Sequence, residues 1–425
     1  PPSGETQFAY PKQRLAPRTG EGGFFIFLRG SLTPTPFPPY PDSGITSTVF
    51  GSSGFLGRYV VNHIGKSGSK MILPNRCSEI HRQHLKVMGD LGQIVHLDYS
   101  IRDADAIKYA VERSNVVVNM VGREWETRNF SFEDVHVEFP AKLAEICKEV
   151  GVERLVHVSA LGASPTNPSA YYQTKAAGDE AVRSAFPDAT IVKPAKLIGT
   201  EDRLLNVFAE HTCKFPLAPL VDDGECKHQP VFVDDVALAI QAIVEDPNTA
   251  GMTFELAGDK VYTMEDMLRF VQRTIRTPNY PKILYVPSFI LKALAAPHEF
   301  LLKKVPFPLP TPTGLTRSYI DAQAVNYLKN PRTPGFEQLG IKPAKLEGVD
   351  NDFAVRNKAA ARHCYHRRLE QGPALRPSNV SYPRGCSTIR RSDHQVVIIQ
   401  SDEGPPASCA VVPRPVKSRT VSVKP

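Results

Sequence analysis

From Ser47 onward the apolar positions change period again and again. Thr48-Val49-Phe50 is a short β-type run, and Tyr59, Val60, Val61 and Ile64 then recur at helical spacing. A strand is predicted over Lys70–Pro74 and another over Gln93–Leu97, with a helix from Ala104 to Glu112. Val116 to Val121 is apolar apart from Asn119, as a strand buried on both faces requires. A long helix fits Asp134–Val150, then a strand Leu155–Ser159, a helix Lys175–Ala185 and a strand Thr190–Pro194. Strands alternating with helices of about ten to fifteen residues predict right-handed βαβ units around a parallel sheet.

After residue 195 the pattern loosens. Gln229 to Asp235 reads as a strand running into a helix, Val236–Val244, and Thr263-Met264-Glu265-Asp266 is a capping box for a helix over Asp266–Thr277. The stretch from Ile283 to Pro312 mixes apolar residues, prolines and Lys303-Lys304, and reads as a short amphipathic helix with rigid flanks. The expected class is α/β: a Rossmann-type doubly wound parallel sheet, a smaller C-terminal α/β substrate-like domain and extended termini. The expected divisions are an arm over 1–45, a nucleotide-binding domain over 46–195, a docking domain over 196–350 partly interleaved with the sheet, and a basic tail over 351–425.

Charge sharpens the last division. Residues 351–425 hold 13 Lys/Arg against 5 Asp/Glu, a balance of +8, and the whole chain is only +7, so residues 1–350 sum to −1. The excess belongs to the tail, either as a solvated segment or as a docking element for acidic partners. No aromatic-interleaved basic motif supports a nucleic-acid domain, so no nucleic-acid partner is expected. Seven cysteines without a C-x-x-C pair argue against a disulfide framework and a zinc site. The twelve histidines form no ligand set, and the His363, Cys364, His366 cluster in the tail reads as coincidental, so no metal is expected. No run of about 20 uninterrupted apolar residues predicts a transmembrane helix. The first residue is Pro1 rather than Met, which a removed targeting peptide would produce, as would cloning.

Gly51-Ser52-Ser53-Gly54-Phe55-Leu56-Gly57 is G-x-x-G-x-x-G between a β run and an amphipathic helix. Glycine lets the backbone turn tightly and approach a pyrophosphate, and the helix N-terminus offers unpaired N–H groups. Cofactor contacts are expected from Gly51, Ser53, Gly54, Phe55, Leu56 and Gly57. The next strand ends in Asn75-Arg76, where a fold selecting NAD places an acid on the ribose 2′-hydroxyl. Arg76 suits a 2′-phosphate instead, so NADPH is the expected cofactor. Asp98-Tyr99 ends the following strand, where a carboxylate can accept from the adenine amino group or simply cap a helix. Ser159 and the Y-x-x-x-K of Tyr171 and Lys175 are weak catalytic candidates. Tyr and Lys one turn apart share a helix face, where the amine would lower the tyrosine pKa and the phenol would pass a proton to a carbonyl. Trp125, just past a strand end, is taken as loop packing.

Thr48 to Gly51 and Gly57 to Val61 resemble the atypical short-chain dehydrogenase/reductase superfamily. Longer stretches resemble one branch of it, the NADPH-binding accessory subunits of mitochondrial respiratory complex I. They are Met88–Gln93, Asn115–Glu126, Asn129–Val135, Ile191–Pro194, Gly199–Arg203 and Gln229–Val231. The resemblance covers about 46 to 348; the arm and the tail fall outside it. It implies a peripheral location on the matrix side of the mitochondrial inner membrane, other complex I subunits as partners, and a tightly held NADPH with a structural role. Residue by residue it implies the glycine loop on the pyrophosphate, Arg76 on the 2′-phosphate, and Val121, Gly122, Ser159, Lys175 and Pro194 around the nicotinamide half. It implies no dependable catalytic set, and the gap from Ser159 to Tyr171 is shorter than in extended enzymes of the superfamily. In that setting Phe289–Lys304 is expected to touch neighbouring protein or lipid headgroups. Two other readings stay open on the residues: a free NADPH-dependent oxidoreductase using Tyr171 and Lys175, and an NADPH sensor or RNA-associated protein using the tail.

Overall fold

The structure is a computed structural model that describes residues 44–214, 217–275, 282–304 and 316–346, with two short strands over 389–392 and 395–398. The N-terminal arm, the His363/Cys364/His366 cluster and most of the basic tail lie outside the described residues.

The first half alternates as the pattern requires. It runs β1 (Thr46–Phe50), α1 (Phe55–Lys66), β2 (Lys70–Asn75), α2 (Glu79–Lys86), β3 (Ile94–Asp98), α3 (Ala104–Val111) and β4 (Val116–Asn119). It continues with a π-helical turn (Asp134–Glu138), α4 (Phe139–Val150), β5 (Arg154–Val158), α5 (Ala170–Ala185) and β6 (Thr190–Pro194). The second half holds β7 (Leu197–Ile198), α6 (Leu204–Lys214), β8 (Leu217–Val221), β9 (Lys227–His228), β10 (Val231–Phe232) and α7 (Val233–Glu245). Then come β11 (Thr253–Leu256), β12 (Tyr262–Thr263), α8 (Met264–Ile275), β13 (Lys282–Val286), α9 (Ser288–Lys304) and α10 (Arg317–Gln323). In the tail, β14 (Ile389–Ser392) pairs antiparallel with β15 (Gln395–Ile398).

Seven strands form the main sheet in the order β11-β6-β5-β4-β1-β2-β3, every neighbouring pair parallel. Adjacent residues of the central strands face opposite ways and feed two separate cores. Val49, Val118, Val156 and Val192 pack with α1 and with Val236, Ile240 and Ile243 of α7. Phe50, Val117 and Leu155 pack with Ile107 and Val111 of α3 and Leu143 and Cys147 of α4. Burial on both faces is why these strands read as apolar runs rather than alternating ones. Winding reverses between β1 and β4, which opens a crevice beyond their C-terminal ends, the place where such sheets bind ligands.

The chain divides into two compact units, the first made of residues up to 199 with 226–262 and 288–349, the second of 200–225, 263–287 and 350 onward. In the second unit β8 and β13 pair in parallel over five residues, and α8 buries Met264, Met267, Leu268, Val271 and Ile275. The capping box forms: Thr263 N–H donates to Asp266, and Asp266 N–H to Thr263 Oγ1 at 3.0 Å. The helix it opens begins at Met264, two residues before the start expected from spacing, and is described as far as Ile275; residues 276 and 277 lie outside the described residues. The helix expected from Lys175 begins at Ala170, which places Tyr171 in its first turn. Among the described residues no helix is long and apolar enough to cross a membrane, and no group of metal-ligating side chains gathers.

Candidate functional site

The glycine loop leaves β1 at the crevice. Gly51 takes φ +83°, and a Cβ there would stand 2.9 Å from the Met120 carbonyl carbon at the end of β4. A Cβ on Gly57 would collide with the Gly51 carbonyl oxygen, so α1 starts hard against the turn. Gly54 caps α1 without a side chain, so the first-turn N–H groups of Phe55, Leu56 and Gly57 gain no side-chain acceptor. Ser53 is exposed on the loop, and Leu56 is buried in the core. Ser52 Oγ donates to Asn75 Oδ1 at 3.0 Å, bracing the loop against the end of β2. The shape fits a pyrophosphate: tight backbone, free donors and a positive helix end.

At the end of β2 stands Asn75, buried and bonded back to Leu73 O, followed by exposed Arg76. Arg76 lies over the Phe130 ring. Asp98 at the end of β3 pairs with Arg82 of α2. Tyr99 is packed edge-on to Phe50 at 5.3 Å, and burial pushes its phenol up to about 12. Trp125 lies half-buried in the loop after β4.

A second group gathers where α5 and the π-helical turn meet the ends of β4, β5 and β6. Lys175 is buried and its ammonium donates to the Val158 carbonyl at 3.2 Å. Burial lowers its pKa to about 8 against the pull of Asp179. A Cβ on Gly122 would lie 3.4 Å from Lys175 Nζ, so the chain after Val121 runs directly past the amine. Val121 is fixed by its N–H donating to Asn119 Oδ1 at 3.1 Å. Ser159 is 4% exposed, and its hydroxyl has no partner among the described residues. Ser159 N–H donates to Val192 O and Leu161 N–H to Pro194 O, both at 2.8 Å, which sets Ser159 beside the end of β6.

Tyr171 packs its ring edge-on against His136, Phe132 and Tyr172. Burial pushes its hydroxyl well up, and the Glu124 carboxylate pushes it further. A tyrosine poised as an acid near neutral pH needs a nearby cation to lower it. Here the nearest lysine of the motif spends a donor on a backbone carbonyl.

Two histidines belong to this group that the sequence analysis did not single out. His136 sits in the π-helical turn, a local geometry that recurs at functional sites. Its Nε2 accepts from the Arg123 N–H at 3.2 Å, so the proton is on Nδ1, which donates to Thr174 Oγ1 at 3.0 Å. Burial, with Lys175 and His157 nearby, lowers its pKa to about 2. His157 is 1% exposed and accepts from Asn119 Nδ2 at 3.1 Å. Burial and Lys175 bring it to about 4. Each His interrupts an apolar run, Val135-His136-Val137 and Val156-His157-Val158. A polar residue inside such a run was the available clue.

A family model described as the NAD dependent epimerase/dehydratase family matches residues 47–257. The "NADH dehydrogenase [ubiquinone] 1 alpha subcomplex subunit 9, mitochondrial" of Arabidopsis thaliana is 44% identical over 74% of this chain and 78% of its own length. The subunit 9 of Mus musculus is 44% identical over 72% and 78%. The chain belongs to this family of mitochondrial complex I subunits. The "NADH-ubiquinone oxidoreductase 40 kDa subunit, mitochondrial" of Neurospora crassa matches at 39% over 71% of this chain and 77% of its own. Among solved structures, dTDP-glucose 4,6-dehydratase from Streptomyces venezuelae with NAD bound superposes with TM-score 0.56 at 17% identity, covering 75% of this chain and 98% of that one. A Citrobacter triphenylmethane reductase with NADP(H) gives 0.55 at 13%, covering 73% and 99%. At those identities the likeness is one of fold, and it bears out the doubly wound sheet.

Proposed function

We propose that this chain is an accessory subunit of respiratory complex I, peripheral on the matrix side of the mitochondrial inner membrane, that holds one NADPH as a structural group. The observation that carries the cofactor is the crevice itself: a glycine loop braced on Asn75, with Arg76 where an NAD-selecting fold has an acid. Gly51, Ser53, Gly54, Phe55, Leu56 and Gly57 hold the pyrophosphate, and Arg76 the 2′-phosphate. Asp98 and Tyr99 border the adenine. Val121, Gly122, Ser159, Lys175 and Pro194 enclose the nicotinamide half. When bound, the nicotinamide is able to carry hydride; the residues around it supply no matched acid. Lys175 is tied to Val158 O, and the Tyr171 hydroxyl is pushed up by burial.

Docking falls to the outer surfaces. α9 leaves Phe289 71%, Leu294 61% and Phe300 64% exposed, beside Lys304. This face suits burial against other complex I subunits near the junction with the membrane arm, with Lys304 toward lipid headgroups. The full chain is expected to co-migrate with a large respiratory assembly on a native gel. Migration as a free protein of its own size would contradict the reading.

A second reading, NADPH-dependent reduction of a carbonyl, draws support from the unpartnered hydroxyl of Ser159. Hydride turnover by the purified chain against a carbonyl panel, lost on Tyr171→Phe, would favour it.

A further inference from the structure

Three arginines converge on one ring beyond the strand ends. The guanidinium carbons of Arg76, Arg102 and Arg123 stand 5.0, 5.1 and 5.9 Å from the centroid of Phe130. They come from three separate loops, after β2, β3 and β4, so no single segment's composition explains their meeting. Like charges this close repel, and cation–π attraction at this half-buried ring returns about 0.5–2 kcal/mol each.

The carboxylates nearby do not neutralise them. Asp134 Oδ2 reaches Arg102 only at 4.0 Å and already accepts the Ser131 N–H at 2.9 Å. Glu126 pairs with Lys303 at 2.5 Å and accepts from Phe132 N–H. Asp98 is taken by Arg82. Arg102 is held by a bond to Asn129 O at 2.7 Å. Arg123 is half-buried and held at both ends: its guanidinium donates to Thr127 Oγ1 at 3.3 Å, and its backbone N–H to His136. Burial and the charge of Arg76 both lower its pKa, the mark of a cation set among cations. A cluster of guanidiniums whose paired acid, Asp134, stands 4.0 Å from Arg102 and is shared with the Ser131 N–H suits a multiply charged anion, which planar forks bind in pairs of parallel bonds.

We propose that Arg102 and Arg123 join Arg76 in one cradle for the ribose 2′-phosphate, and that Arg123 sets the preference for that phosphate over a 2′-hydroxyl. This rests on the reading that the glycine loop holds a dinucleotide. Phe130 is the platform that keeps the three forks convergent.

The test uses the full-length chain stripped of nucleotide, titrated with NADPH and NADH by fluorescence and with 2′,5′-ADP and 5′-AMP as competitors. Arg123→Gln is expected to weaken NADPH and 2′,5′-ADP by about tenfold or more, the loss of one charged hydrogen-bond set, and to leave NADH and 5′-AMP within about twofold. Arg102→Gln is expected to move the same ratio in the same direction by less, because Arg102 is exposed. If only Arg76→Gln changes the ratio, the dinucleotide reading stands and the cradle is overturned. Equal loss of NADPH and NADH on Arg123→Gln also overturns it. If the wild-type chain binds neither dinucleotide, the underlying reading fails first. Should Arg123→Gln not fold, Arg123→Lys, which keeps the charge and loses the fork, reads the same ratio: a retained wild-type preference overturns the proposal, and a weakened one supports it.

Discussion

Arg123 donates its backbone N–H to Nε2 of His136 at 3.2 Å, which ties the loop after β4 to the π-helical turn. The imidazole is therefore neutral, with one nitrogen accepting and the other donating to Thr174. His136, His157 and His228 all have folded pKa values below the ordinary 6.5, at about 2, 4 and 3, with burial the first cause in each. The sign follows: the unfolded chain takes these protons near pH 6.5 and the folded chain does not. The stability this difference contributes is complete above that pH and is lost as pH falls toward the three folded values. Each contributes a slope of about 1.4 kcal/mol per pH unit. Urea unfolding at pH 7, 6 and 5 is expected to show the decline, and His157→Asn to remove about one proton's share. A flat profile between pH 7 and 5 would contradict it.

Lys175 has the same sign in a higher window. Its folded value of about 8 lies below the ordinary 10.5, so the unfolded chain holds the proton more firmly across that range. Its penalty is present below pH 8 and relieved as pH rises toward 10.5. Lys175→Met removes that penalty at pH 7 but leaves the Val158 carbonyl unpaired, and the two effects offset. Stability at pH 7 is expected within about 1 kcal/mol of wild type, while NADPH affinity falls about tenfold. Calorimetry with and without NADPH separates the two. A large stability loss with unchanged affinity would make Lys175 structural only.

Tyr171→Phe keeps the ring contacts with His136, Phe132 and Tyr172 and removes only the hydroxyl. NADPH retention is expected unchanged, and stability within about 1 kcal/mol. Loss of a measurable hydride turnover on this substitution would favour the oxidoreductase.

Gly57→Ala places a methyl against the Gly51 carbonyl oxygen, backbone on backbone, so neither side yields easily. Overpacking of this kind costs about 1–3 kcal/mol. Nucleotide binding is expected to fall more than stability, because the displaced turn is the part proposed to meet the pyrophosphate. Equilibrium dialysis beside thermal melts checks the order of the two losses.

The sheet was legible because burial on both faces writes apolar runs, continuous in Val116–Val118 and broken only by His157 in Leu155–Val158. α2 was not: it buries only Leu85, so it leaves almost no apolar period. β11 was missed because Thr253–Leu256 is four residues long and follows a gap of about sixty residues from β6, its partner in the sheet. The helix drawn over Asp134–Val150 exists, yet its first turn is π-helical, a register shift that residue type does not reveal. The turn from β1 into α1 was legible because such a tight turn needs glycines at fixed spacing, as at Gly51 and Gly57. The meeting of Arg102 with Arg123 and Phe130 was not, since the loops after β3 and β4 come together only in the folded chain.

This subunit is proposed to hold NADPH and to leave it unconsumed. Denaturing the subunit taken from the native assembly and quantifying released nucleotide by chromatography tests it most directly. About one NADPH per chain is expected, undiminished after incubation with carbonyl substrates. Release of no nucleotide, or of NADH in its place, would contradict it.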